Sequence, residues 1–144
     1  MDSSFKKYVN KNGHFEFPNF LYHTINGLMK ATLDMGNLAC ADQNQLRAYK
    51  EMTKRQFKNS WQSIANCLEE LDIIKPCICN DTDFCDICGG SRFLANDLLQ
   101  YDELEEVFSF VAAGVDDSSG MSEKLKKGLA SARQIQEKFL NERS

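Results

Sequence analysis

Histidine, proline and tryptophan are scarce in this sequence, at two, two and one of its 144 residues. With only His14 and His23 available, little is left for general acid–base chemistry. No Gly-x-Ser-x-Gly, His-Glu-x-x-His, phosphate-binding loop or dinucleotide fingerprint occurs either. A non-enzymatic protein is the expectation. Long apolar runs are missing as well. The stretch from Val111 to Val115 is typical, and no such run can span a bilayer. Met1 to Asn10 carries Asp2, Lys6 and Lys7 but no apolar core of a secretory signal. The expected setting is therefore cytoplasmic, with no membrane partner. A charged fraction of 26% and an apolar fraction of 42% then predict one folded domain over residues 1–144, with residues 1–13 mobile.

The net charge of −4 hides a segregation along the chain. Arg47, Lys50, Lys54, Arg55 and Lys58 face one acid, Glu51. Six acids lie between Glu69 and Asp86 against Lys75 alone, and seven more between Asp97 and Asp117 with no base. From Met121 onward six positive side chains meet three negative ones.

Apolar spacing predicts a mainly α protein of four or five helices, with a small β-hairpin between two long ones. Pro18 suits a first helical turn, because its missing N–H has no partner to lose there. Leu21, Ile25, Leu28 and Met29 follow at helical steps, and Gly36 can end the segment. Asp42-x-x-Gln45 reads as a capping box. Beyond it Leu46, Tyr49, Met52, Phe57, Trp61, Ile64, Leu68 and Leu71 keep steps of three to five. Within this run Ser60 is a place where one helix can stop and another be capped. Ile73-Ile74 and Arg92-Phe93-Leu94 predict the two strands of the hairpin. A helix starting near Asp97 or Asp102 carries Leu104, Val107, Phe108, Val111 and Val115 on one face. Residues 116–121 form a linker by composition, after which Ser122 caps a last helix with Leu125, Leu129, Ala132, Ile135 and Phe139 inward.

Cysteine is the exception to scarcity. Four of six thiols, Cys77, Cys79, Cys85 and Cys88, crowd into twelve residues with the spacing C-x-C-x5-C-x2-C-G-G. Without an export signal, clustered thiols point to metal before disulfides. A tetrahedral zinc needs four donors at about 2.3 Å, and a hairpin over residues 75–94 brings two pairs together. One structural zinc is predicted. An Fe–S centre, a redox dithiol and unligated thiols are the alternatives. Cys40 and Cys67 are expected to be buried, unliganded thiols. The segment Cys85-Asp-Ile-Cys88-Gly89-Gly90-Ser91-Arg92 resembles the C-x-x-C-x-G-x-G element of the DnaJ-type cysteine-rich zinc module. Arg92 stands where that element has its last glycine, and Cys77-x-Cys79 has one spacer residue where two are usual. The resemblance implies zinc ligation and carries nothing about chaperone activity.

Two functional classes remain. Ser60 to Ile74 resembles the end of a winged helix-turn-helix, whose wing the zinc hairpin would supply. Lys50, Lys54, Arg55 and Lys58 would then touch phosphates. Yet the wing would carry Asp81, Asp83, Asp86 and a centre of charge about −2, which phosphates repel. The favoured expectation is a helical interaction protein, a regulator, adaptor or inhibitor, that binds another protein or a second copy of itself. Asp81 and Asp83 would offer acceptors at that contact, and Phe84 and Ile87 apolar area.

Overall fold

In the computed structural model, residues 7–10, 13–78, 85, 88–96, 101–114 and 120–143 are described. Among them are four helices, α1 (Phe17–Ala39), α2 (Gln43–Glu70), α3 (Tyr101–Ala113) and α4 (Met121–Arg143). Strands β1 (Ile74–Pro76) and β2 (Phe93–Ala95) lie between α2 and α3. They pair antiparallel with Ile74 opposite Ala95 and Pro76 opposite Phe93. The architecture is thus mainly α with a small hairpin inserted between helices, as the sequence predicts.

Pro18 occupies the first turn of α1. From there Phe17, Phe20, Leu21 and Ile25 enter a core shared with Trp61 and Leu68 of α2, both strands, Leu104 and Phe108 of α3, and Leu125 and Ile135 of α4. Gly128 lets α4 approach α1 closely, since any Cβ there would run into the Phe20 ring. Leu104, Val107, Phe108 and Val111 are buried, so the expected inner face of α3 is the observed one. Val115 lies outside the described residues.

Gly36 does not end α1, which runs on to Ala39. Its part is a close approach: the Tyr49 ring of α2 lies where a Cβ would be, and the Tyr49 hydroxyl donates to the Thr32 carbonyl at 2.9 Å. The cap of α2 forms as expected, Gln45 N–H donating to Asp42 Oδ1 at 2.7 Å. Gln45 Oε1 in turn accepts from the N–H of Ala41, one residue before the cap. No break occurs at Asn59-Ser60, and α2 is continuous over 28 residues. Its buried positions are Thr53, Trp61, Ala65 and Leu68, while Met52 and Leu71 are exposed.

α2 ends in a Schellman motif. Ile73 N–H donates to the Leu68 carbonyl and Asp72 N–H to the Glu69 carbonyl, both at 3.0 Å, with Asp72 left-handed at φ 59°. This turn delivers the chain into β1. Asn96 closes it from the other strand, its side-chain amide donating to the Asp72 carbonyl at 2.6 Å.

Tyr8 is buried against Phe20, with ring centroids 5.3 Å apart, and Val9 bridges to Phe15. α3 starts at Tyr101, beside Asp102 as expected, and Asp102 lies inside its first turn, where its charge suits the helix N-terminus. One further expectation changes, the cap of α4. Ser122 is likewise inside α4, whose first turn closes on the Gly120 carbonyl. The Asp97 start signal and the linker up to Ser119 lie outside the described residues.

Candidate metal centre

Cys77 follows β1 directly and prolongs the ladder, its N–H donating to the Arg92 carbonyl at 2.8 Å. Gly89 N–H, next to Cys88, donates to the Cys85 carbonyl at 2.8 Å. Gly89, Gly90 and Arg92 all take positive φ, at 60°, 92° and 71°. The two glycines adopt this at no steric cost, and Arg92 does so at the position where the zinc-module resemblance calls for glycine.

The sulfurs of Cys77, Cys85 and Cys88 lie within 4.8 Å of one another. The Cys77 and Cys85 Sγ atoms are 3.7 Å apart. A disulfide needs about 2.05 Å, so this pair is not one. Two sulfurs on a tetrahedral zinc at about 2.3 Å each sit about 3.8 Å apart, which matches. Three soft donors at that spacing can hold a metal ion, and they are three of the four ligands read from the sequence. Cys79, the fourth, lies outside the described residues.

The base of the site is fixed by the core. Cys88 is fully buried, and the Ser91 hydroxyl donates to its carbonyl at 2.8 Å. Trp61 of α2 donates its indole N–H to the Ser91 carbonyl at 3.2 Å. From α1, His23 Nε2–H donates to the Gly89 carbonyl at 2.9 Å, while its Nδ1 lies 3.3 Å from the Tyr8 hydroxyl. Both ring nitrogens of His23 are thus engaged, and the side chain is placed against Gly89. Asn19 packs under the same residue, where a Cβ would strike its side-chain amide. Asn19 Oδ1 is buried with no hydrogen-bond partner. No sequence signal marks Asn19, Ser91 or Trp61 as supports, because they converge from three separate elements.

No protein-family model, no curated protein and no solved structure matches this chain. Its reading rests on its own geometry.

The remaining candidates separate. Asp81, Asp83, Phe84 and Ile87 lie outside the described residues. Lys54, Arg55 and Lys58 are exposed on α2 and Lys50 is half-buried. The two outlying thiols differ from expectation: Cys40 is half-buried in the α1–α2 connection and Cys67 is exposed. Cys67 neighbours Leu68 in sequence, but one step of about 100° turns it off the buried stripe. No described helix is long and apolar enough to cross a membrane.

Proposed function

We propose that this chain is a non-enzymatic helical interaction protein, stapled by one structural zinc and acting on another protein as a regulator, adaptor or inhibitor. The observation that carries the reading is the closure of Cys77, Cys85 and Cys88 to the sulfur spacing of a tetrahedral site. With Cys79 as fourth thiolate, the coordination shell has no open position for substrate or activated water. Such a metal stabilises a fold instead of performing chemistry. Here it would tie the outer end of the hairpin, where Trp61, His23 and Ser91 already hold residues 88–91 against the core. Polar groups that face the site from α1 and α2 hold backbone carbonyls, a positioning task.

Acidic residues dominate the hairpin sequence and α3, whereas the exposed arc of α2 is basic. Separate fields of opposite sign steer docking between proteins and disfavour wrong partners. Phosphates would meet repulsion at Asp81, Asp83 and Asp86.

Two measurements test the reading. Elemental analysis of protein purified without added metal should return about one zinc per chain; iron with visible absorbance would overturn the zinc assignment. Affinity capture from native extract should keep a protein partner after nuclease treatment. Loss of all bound material on nuclease treatment would instead make the basic residues of α2 a nucleic-acid site.

A further inference from the structure

We propose that Cys77 and Cys85 form an oxidisable dithiol, a modification site where a hydroperoxide exchanges the metal staple for a disulfide and releases the zinc. This deepens the zinc-stapled reading and rests on it. The observation that carries it is that the three gathered thiols are unequal. Cys77 and Cys85 are half-buried with sulfurs 3.7 Å apart, whereas Cys88 is fully buried. Cys77 also stands between exposed neighbours, Pro76 and Ile78, the second of them 87% exposed. Oxidation of a thiol follows its exposure and its thiolate character. A metal supplies the second to every ligand it binds. Exposure then selects the pair and shields Cys88.

The backbone suits either staple. Cys77 is locked to the strand opposite by its N–H to the Arg92 carbonyl, and the Cys85 carbonyl takes the Gly89 N–H, both at 2.8 Å. A tetrahedral zinc sets two sulfurs about 3.8 Å apart. A disulfide needs this pair about 1.7 Å closer than it stands, a gap that staggered rotamers of two side chains can span. Cys88 is pinned more firmly. Its carbonyl accepts from the Ser91 hydroxyl at 2.8 Å and from the Ser91 N–H at 3.0 Å.

The chemistry runs in two steps. One thiolate of the pair attacks the terminal oxygen of the hydroperoxide; the O–O bond breaks, a sulfenic acid forms, and the alkoxide leaves as an alcohol after taking a proton. The other thiolate attacks that sulfur, the S–S bond forms, and hydroxide leaves as water after taking a second proton. Two electrons have passed from sulfur to oxygen. Two of four donors are then lost, and two thiols are too few to hold a structural zinc. A centre of charge about −2 becomes neutral, which weakens the negative field of a segment that carries Asp81 and Asp83 between the two thiols.

The test uses the full chain with Cys40→Ser and Cys67→Ser, which removes the thiols outside the cluster. Zinc-loaded protein is treated with hydrogen peroxide beside a chromophoric zinc chelator. Release of the metal should be about tenfold faster than in the chelator alone, and a dithiol reductant with added zinc should restore the metal content. Digestion before aspartate cuts at Asp72, Asp81, Asp83, Asp86 and Asp97, so Cys85 and Cys88 fall on separate peptides. The expected product joins residues 72–80 to residues 83–85, and its fragmentation in a mass spectrometer should place the bond on Cys77 and not on Cys79. Zinc that stays bound under peroxide, or a bond to Cys79 or Cys88 instead, overturns the dithiol and leaves the zinc staple standing. Protein that carries no zinc sinks the staple. A Cys77–Cys85 bond formed by peroxide in that metal-free chain upholds the dithiol by itself, and its absence sinks both.

Discussion

Gly89 meets three constraints at once. Its φ is 60°, its N–H donates to the Cys85 carbonyl, and its missing Cβ makes room for the Asn19 amide. Alanine there would add left-handed strain and overpacking, so Gly89→Ala should cost about 2–4 kcal/mol in urea denaturation of the metal-loaded protein. The same variant should bind zinc more weakly in a competition titration with a chromophoric chelator. Wild-type stability in that variant would mean that the turn is not held against α1. The thiols are expected to divide sharply. If the proposed zinc is bound, Cys88→Ser should lose most of it, because the change removes a fully buried thiol of the cluster. Cys40→Ser should retain the wild-type metal content by elemental analysis, since that thiol belongs to the distant α1–α2 connection.

α2 shows how far a single element can be read. Its cap and its apolar steps near Trp61 and Leu68 are legible, because helix periodicity and N-cap chemistry are local. Its continuity through Ser60 is not, since serine tolerates a helix interior and packing of both halves on α1 keeps the turn closed. The C-terminus of α2 is also hidden from sequence, for an aspartate stands where a glycine is usual. Asp72 holds φ 59° in its Schellman turn with an exposed side chain. Replacing it by glycine removes that strain, and Asp72→Gly should raise stability by about 1 kcal/mol, read as a higher thermal midpoint. A lower midpoint would show that the aspartate side chain has a task of its own.

For the molecule as a whole, the cysteine cluster and the hydrophobic core are coupled through a few bonds. The indole of Trp61 reaches the Ser91 carbonyl, three residues beyond Cys88, and its ring packs on Phe93 and Tyr22 with centroids 6.5 and 5.5 Å away. Stripping zinc with a strong chelator should therefore lower the thermal midpoint and shift Trp61 emission to the red. Much of the far-ultraviolet helix signal should survive, because α1, α3 and α4 share contacts that involve no cysteine. Complete loss of helix on chelation would make the metal the organiser of the entire fold. An unchanged Trp61 spectrum would uncouple the hairpin from α2.

Sequence alone determined the helical class, the place of the hairpin and the three described thiols that close on one another. All of these follow from patterns within about one turn or one hairpin, where side-chain period, cap chemistry and ligand spacing act locally. Tertiary structure decided the rest. It set the burial of Tyr8, the exposure of Cys67, and the supports that Asn19, His23 and Trp61 give to the cysteine turn. It also left Met35, Leu38 and Met52 exposed to solvent. Which apolar residues find a covering layer depends on where whole helices end relative to one another, and neither helix carries that information in its own period.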